Sequence, residues 1–306
     1  MKNFEYKKLK YRYIKIWKND WKIGFFIKKN NISINEGATS INYSQQCFEG
    51  IKSYLIKKKI FNLKLNLNSN RFQKSCKILL MPIINLFCFI NLIKLLSILN
   101  YYYIPNNKKG FLYIRPLMLG ISKNIGVKTS KKFFLTIFCT PLFIKINLLN
   151  IKSIFSKRII DNYGHYKIGA NYITNLVNNY YIKKYNFDDY VHVNNNFFEE
   201  IGTSNFIIYK KNYIISPNNK NILPGINKFS FLCFFNFKKK YLNLKINFNK
   251  LSNAKKIISC GTAAYYKSIN IVLYKNKILK YKKMFFNDLI KYYLKKINVK
   301  NYNNKR

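Results

Sequence analysis

The sequence predicts a mixed α/β (α+β) chain of two domains, and three observations predict it. At 306 residues, 49% of them hydrophobic, the chain is long and apolar enough to bury more than one core. Short stretches of alternating residues, read as strands, recur along it and are broken by segments of helical period. An apolar strand over 132–139 stops at Thr140 and Pro141. That stop divides a small domain, 1–140, from a linker, 141–150, and a larger domain, 151–306.

Taken in order, residues 1–33 alternate aromatic and basic side chains and read as short strands with turns at 18–20 and 28–31. The stretch 34–54 brings small residues close to Tyr43, Phe48, Glu49 and Gly50, a turn with aromatic walls. Residues 59–68 alternate again and run into NLNSNRFQKSCKILLMP. This places Arg71 near the start of a helix, where an arginine and free amides can converge on an anion. The plainer reading is an exposed arginine at a helix start.

Residues 78–104 are apolar but broken by Pro82, Asn85, Asn91, Lys94 and Ser97. A spanning helix needs roughly 20 apolar residues with few breaks. Asn91, Lys94 and Ser97 recur every third residue and mark one wet face, so the segment reads as core and not membrane. In 111–127, Tyr113 and Arg115 share one face of a strand that Pro116 terminates. The stretch 142–157 holds the linker and the first strand of the second domain.

HYKIGANY follows, with Lys167 just ahead of Gly169 and Ala170. Ile173, Leu176, Val177 and Tyr180 then recur at helical spacing. Lys167 therefore sits where an irregular turn enters a helix, and small residues leave room for a close approach. A lysine there becomes a nucleophile if partial burial lowers its pKa. Most lysines of such a chain are plain solvated charges, so only the surroundings single this one out.

Residues 190–216 read as strands, with Glu200, Gly202 and Thr203 in FFEEIGTSNF and a hairpin at 210–212. A turn at Pro224 and Gly225 leads into a helix whose first amides can hold an anion. ISCGTAAYY makes another strand-end turn with Gly261 and Thr262. A last helix packs through Phe286, Leu289, Ile290, Tyr293 and Ile297.

The formal charge of +46 invites a nucleic-acid or anionic-surface partner. Three facts weigh against it. The charge is spread along the chain. Arginine occurs only at positions 12, 71, 115, 158 and 306, whereas base readout leans on arginine forks. Lys, Asn, Ile, Tyr and Phe, whose codons are AT-rich, are inflated together, so base composition accounts for the profile. No nucleic-acid or membrane partner is expected. The six cysteines show no C-x-x-C spacing, which argues against zinc and against a disulfide framework. The opening MKNFEYKKLKYRY has no apolar run, and a reducing cytoplasm is the expected setting.

A Schiff-base lysine, an acid against a ring nitrogen and a phosphate cup are the parts a pyridoxal phosphate enzyme needs. Lys167, Glu200 and the Arg71, Pro224–Gly225 and Thr262 segments supply such parts. Here the chain resembles the branched-chain amino acid aminotransferases, of the class IV (fold-type IV) pyridoxal phosphate enzymes. The motifs are YSQQCFEGIKSY, NLNSNRFQKS, YIRPLMLG with IGV, KIGANY, EEIGTSN, LPGIN and SCGTAA, in the family's order from about residue 34 to 268.

The resemblance implies a small N-terminal α/β domain and a larger C-terminal pseudo-barrel domain. It implies that Lys167 binds the cofactor and moves the proton, that Glu200 pairs with the pyridinium nitrogen, and that Tyr172 bonds the ring's phenolic oxygen. Arg71, Thr262 and the amides of Ile226 and Asn227 would hold the phosphate; the family commonly has Thr where Asn227 stands. Tyr43, Phe48 and Tyr113 would line the side-chain pocket. Arg115 with Tyr43 would bind the distal carboxylate of glutamate, and the amides of Thr262 and Ala263 the α-carboxylate. Thr203 is grouped with the substrate contacts. Val127 would close the partner subunit's site, which implies a homodimer. The implied reaction is ping-pong exchange between L-leucine, L-isoleucine or L-valine and 2-oxoglutarate, the last step of making those amino acids. The alternatives are another class IV enzyme, a D-amino acid aminotransferase or an aminodeoxychorismate lyase, and, from a different class, a basic RNA- or membrane-binding protein.

Overall fold

A computed structural model describes residues 5–106, 109–144, 148–156, 162–210, 212–235, 240–262 and 265–283. The chain divides into two compact units, Met1–Ile144 with Tyr166–Tyr172, and Lys145–His165 with Ile173–Arg306. The last expected helix, beyond residue 283, and Ala263 lie outside the described residues.

The first unit is built on an eight-stranded sheet among the described residues. Its elements are β1 (Arg12–Lys18), β2 (Asp20–Trp21), β3 (Phe25–Ile27), a short α1 (Thr39–Asn42), β4 (Gln46–Phe48), β5 (Ile51–Ile56), β6 (Lys59–Leu63), α2 (Leu65–Ile78), α3 (Leu86–Leu99), β7 (Gly110–Gly120) and β8 (Lys132–Phe143). The strand order is β2-β1-β8-β7-β5-β6, with β4 also paired to β7. Phe72, Phe89, Ile93, Leu96, Leu112, Ile114, Leu135 and Ile137 make its core.

Four local expectations change. Pro116 does not end its strand: β7 runs on to Gly120. The proline is tolerated because β7's neighbour is interrupted there. β5 pairs with β7 as far as Ile114, β4 takes over at Leu117, and the Glu49 amide donates to the Pro116 carbonyl across the gap at 3.0 Å. A proline's missing donor costs little where no ladder bond would form. β8 likewise continues through Thr140 and Pro141 to Phe143.

Arg71 is in the middle of α2 and not near its start, because the helix begins at Leu65 after Lys64 in a left-handed turn, φ 53°. The buried side of α2 is Leu65, Asn68, Ser69, Arg71, Phe72, Ser75 and Cys76. So many polar residues on the inner face hide its helical period. Ser97, assigned to a wet face, is fully buried on α3. Its hydroxyl donates to the Ile93 carbonyl at 2.8 Å and meets Ser53 at 3.0 Å. Asn91 and Lys94 are exposed. Among the described residues no helix is long and apolar enough to cross a membrane.

The second unit carries a nine-stranded sheet among the described residues. Its elements are β9 (Leu149–Phe155), α4 (Ile173–Lys184), β10 (Asp189–Asn194), β11 (Phe197–Ile201), β12 (Ser204–Tyr209), β13 (Tyr213–Pro217), α5 (Ile226–Phe235), β14 (Lys240–Leu244), α6 (Phe248–Ser252), β15 (Lys256–Gly261), β16 (Tyr265–Tyr274) and β17 (Lys277–Lys280). The order is β11-β10-β9-β16-β15-β12-β13-β14, and β11 also pairs with β12, so the sheet curls back on itself as a half-barrel. Ile151, Val191, Phe198, Phe206, Ile208, Ile257 and Val272 fill its core.

The helix expected after Lys167 is present as α4, and its apolar stripe faces outward. Ile173, Leu176, Val177 and Tyr180 are all exposed, and the helix buries Asn175 and Ile182. Asn175 donates to the Tyr190 hydroxyl at 2.7 Å and to the Gly202 carbonyl at 2.8 Å. These polar bonds, together with buried Ile182, hold α4 to its own unit.

Candidate active site

In the first unit, the segment bearing Lys167 is held as an extra rung on β4. Cys47 and Ile168 form an isolated antiparallel bridge, and the Phe48 amide donates to the Lys167 carbonyl at 3.1 Å. On the other side, the Lys167 amide donates to the Ser75 hydroxyl of α2 at 2.9 Å. A single helical turn, Gly169–Tyr172, follows. Gly169 is required by packing: a Cβ there would press on the Gln46 side chain at 2.6 Å.

That turn carries Tyr172 back over the lysine, so the Lys167 amine and the Tyr172 hydroxyl are 2.7 Å apart. Phe48 joins them, its ring 5.1 Å from the Tyr172 ring and 4.6 Å from the Lys167 amine. Arg115 lies 4.5 Å from the same Phe48 ring and donates to the Tyr113 hydroxyl at 2.8 Å. Gly50 makes room for Tyr113, whose ring a Cβ at that position would overlap. The structure thus brings together Lys167, Tyr172, Phe48, Tyr113 and Arg115, which lie far apart in sequence.

Arg71 is buried and paired with Glu49, Nε to Oε2 at 2.8 Å and Nη2 to Oε1 at 2.6 Å. Burial acts to lower the Arg71 pKa. The Glu49 carboxylate outweighs it and holds the pKa above its ordinary value, with Tyr172 and Tyr113 near enough to add to the effect. The sequence reading passed over Glu49 as part of a turn. Its signal was scarcity: acids occur only ten times in the chain. A buried carboxylate needs a cation, and this one finds it 22 residues away. Tyr43 is partly exposed, and Val127 is exposed on the loop between β7 and β8.

In the second unit, β11 and β12 are joined by a tight hairpin at Gly202, φ +47°. Glu200 and Asn205 face each other across it. The Asn205 amide donates to Glu200 at 2.8 Å and to the Leu223 carbonyl at 2.9 Å, and Glu200 is buried. Asn205 also ties the carboxylate to the Pro224–Gly225 turn, because a Cβ on Gly225 would overlap its Oδ1. Thr203 is exposed at the hairpin tip.

Ile226 and Asn227 open α5, and the first amides of a helix have no partner within it. The Asn227 side chain is spent elsewhere, donating to the Gly261 carbonyl at 2.6 Å, while the Tyr266 hydroxyl donates to its carbonyl at 3.0 Å. These bonds hold the helix start beside the end of β15, next to Thr262. Asn205 was not singled out in the sequence, although it closes the EEIGTSN motif.

The residues present suit a phosphorylated pyridine aldehyde. The first unit offers a primary amine against a phenol and a buried arginine; the second, by itself, offers a buried carboxylate held by an amide and a helix start whose first amides have no partner within the helix. Glycines stand where added Cβ atoms would fill the room, at Gly50, Gly169 and Gly225.

A family model described as amino-transferase class IV matches residues 46–266. A branched-chain-amino-acid aminotransferase of Haemophilus influenzae is 31% identical over 283 residues, covering 85% of this chain and 82% of that protein. One of Helicobacter pylori is 29% identical over 293 residues, 90% of this chain and 85% of that protein. Among solved structures, the branched-chain aminotransferase of Thermoproteus uzoniensis with norvaline superposes with a TM-score of 0.77 at 16% identity, covering 92% of this chain and 93% of that one. A T.th. branched-chain amino acid aminotransferase complexed with N-(5'-phosphopyridoxyl)-L-glutamate gives 0.73 at 19% identity, with 92% of each chain covered. These two structures share the fold.

Proposed function

The chain belongs to the class IV aminotransferases, and on that premise we propose that it is a branched-chain-amino-acid aminotransferase. It exchanges the amino group of L-leucine, L-isoleucine or L-valine with 2-oxoglutarate, as a ping-pong reaction in a cytoplasmic homodimer at the last step of branched-chain amino acid synthesis. The observation that carries the chemistry is the Lys167 amine held 2.7 Å from the Tyr172 hydroxyl in a turn pinned on both sides.

Pyridoxal 5'-phosphate, when bound, supplies the aldehyde that takes the amino group and the ring that drains electrons from the substrate's α-carbon. Lys167 would be the residue that holds its aldehyde and the base that moves the proton at the α-carbon. Tyr172 orients the lysine amine and bonds the ring's phenolic oxygen. Glu200, held by Asn205, would pair with the ring nitrogen. Arg71, Thr262 and the amides of Ile226 and Asn227 take the phosphate.

Tyr43, Phe48 and Tyr113 would form the apolar walls for the branched side chain, and Thr203 would be among the substrate contacts. Such a pocket separates chains differing by one methylene by only about 1–3 kcal/mol. Glutamate must use the same place, and Arg115 answers its distal carboxylate. The Arg115 Nε is buried with no hydrogen-bond partner among the described residues, which supports that role. The amides of Thr262 and Ala263 take the α-carboxylate. Exposed Val127 and Ile125 on one loop, and the outward stripe of α4, support a second copy of the chain as partner.

The test is an absorbance spectrum of the purified protein with and without the cofactor, followed by L-leucine or D-alanine. A visible band that L-leucine bleaches, and D-alanine leaves, is the expected result. Lys167→Ala should still bind the cofactor and lose the response. No cofactor band in the wild-type protein, or a response to D-alanine alone, would reject the assignment.

A further inference from the structure

We propose that Ser75 is a positioning residue that sets Lys167 in register with the arginine on α2. Its hydroxyl is fully buried and makes two bonds. It accepts from the Lys167 amide at 2.9 Å, and it donates to the Arg71 carbonyl at 3.0 Å, one turn earlier on the same helix. One oxygen atom therefore joins the backbones of the two residues assigned to the cofactor's aldehyde and phosphate. This deepens the proposed function and rests on it.

The geometry gives Ser75 work that packing alone does not require. The segment 166–168 is bridged on one side by β4, through the Cys47–Ile168 pair and the bond from the Phe48 amide to the Lys167 carbonyl. The remaining main-chain group of Lys167 points at α2, where the residues one turn before and after Ser75 are Arg71 and Leu79. A serine at this position answers the amide with an acceptor that an apolar residue lacks. Without it, a part-buried donor loses its partner and the lysine turn loses its fixed distance from α2. A side chain that must reach a small ring depends on where its own backbone is held.

The experiment compares wild-type protein with Ser75→Ala. The change removes one oxygen, adds no volume and suits a helix. Amide hydrogen exchange is read without cofactor, and kcat and KM for L-leucine are read with it. Loss of the bond should speed exchange at Lys167 by roughly tenfold or more, while amides of α3 stay within about twofold. The holoenzyme should lose about tenfold in kcat with KM for L-leucine within about twofold, since the side-chain pocket is untouched.

Exchange at Lys167 unchanged, or raised equally across the unit, overturns the proposal, and so does an unaltered kcat. If Ser75→Ala does not fold, Ser75→Cys, which keeps a side chain there but offers a poorer acceptor, is read by the same two measurements. The two hypotheses fail separately. A wild-type protein that takes up no cofactor defeats the functional assignment, whereas the exchange experiment still decides the link between Ser75 and Lys167.

Discussion

At the scale of single residues, the arginines repay attention in a chain that favours lysine. Arg115 lies against Phe48 and the Tyr113 hydroxyl, held by groups that leave its Nε unused among the described residues. Removing a charged partner of a carboxylate costs about 1.5–3 kcal/mol. Arg115→Leu should therefore lower kcat/KM for glutamate some 10- to 100-fold more than for leucine. Equal losses, measured side by side, would remove Arg115 from carboxylate binding. Asp189 makes a separate prediction. Burial raises its pKa from an ordinary 3.8 to about 6, against the opposing bond from the Tyr190 amide. Between those values the folded state holds a proton that the unfolded state has lost, so stability falls as pH rises through that window. The cost is complete above pH 6 and absent below about 4. Asp189→Asn keeps the acceptor for Tyr190 and should stabilise the protein by about 2–3 kcal/mol at pH 8, with the gain vanishing near pH 4 in denaturant titrations.

At the scale of elements, the polar lining of helices and turns decided what sequence periodicity did not. α2 turns Asn68, Arg71 and Ser75 inward, and α4 turns Asn175 inward, because each meets a specific partner. The same rule governs the turn ahead of α5. Gly225 is required by Asn205, which fills the space a Cβ would take and carries the bond to Glu200. Gly225→Ala should destabilise the cofactor-free protein by about 1–3 kcal/mol, the usual cost of overfilling a packed site. It should also weaken cofactor binding, as Asn205 is pushed from Glu200. Thermal unfolding and a cofactor titration check the two parts. An unchanged melting curve would show that the turn yields freely.

At the scale of the whole molecule, the +46 charge and the exposed apolar stripe point to different partners. The charge has no focus in sequence and needs none for a small-molecule reaction. The stripe does have one: Ile173, Leu176, Val177 and Tyr180 stand on one face of α4 and are left to solvent. Contiguous apolar surface of this kind marks an interface. If a second copy covers it, Leu176→Glu should convert a dimer to a monomer in sedimentation, with little change in the stability of the isolated chain. A dimer that survives the charge would clear α4 of that role.

Much was legible beforehand because it is local. The motif KIGANY announces a tight turn into a helix, Pro224 and Gly225 announce the start of another, and the alternation around Tyr113 and Arg115 announces a strand. Each depends on residues within a few positions of one another, where backbone sterics act. Ser97 and the place of Arg71 were misread for one reason: hydropathy shows that a helix has two faces but not which neighbour each face meets. Arg71 finds Glu49, Ser75 finds Lys167, and Asn205 finds Glu200 only once strands and helices have packed. Short-range conformational preference is written residue by residue along the chain. The pairing of buried polar groups is settled in three dimensions, where an unanswered donor or charge is too costly to leave in the core.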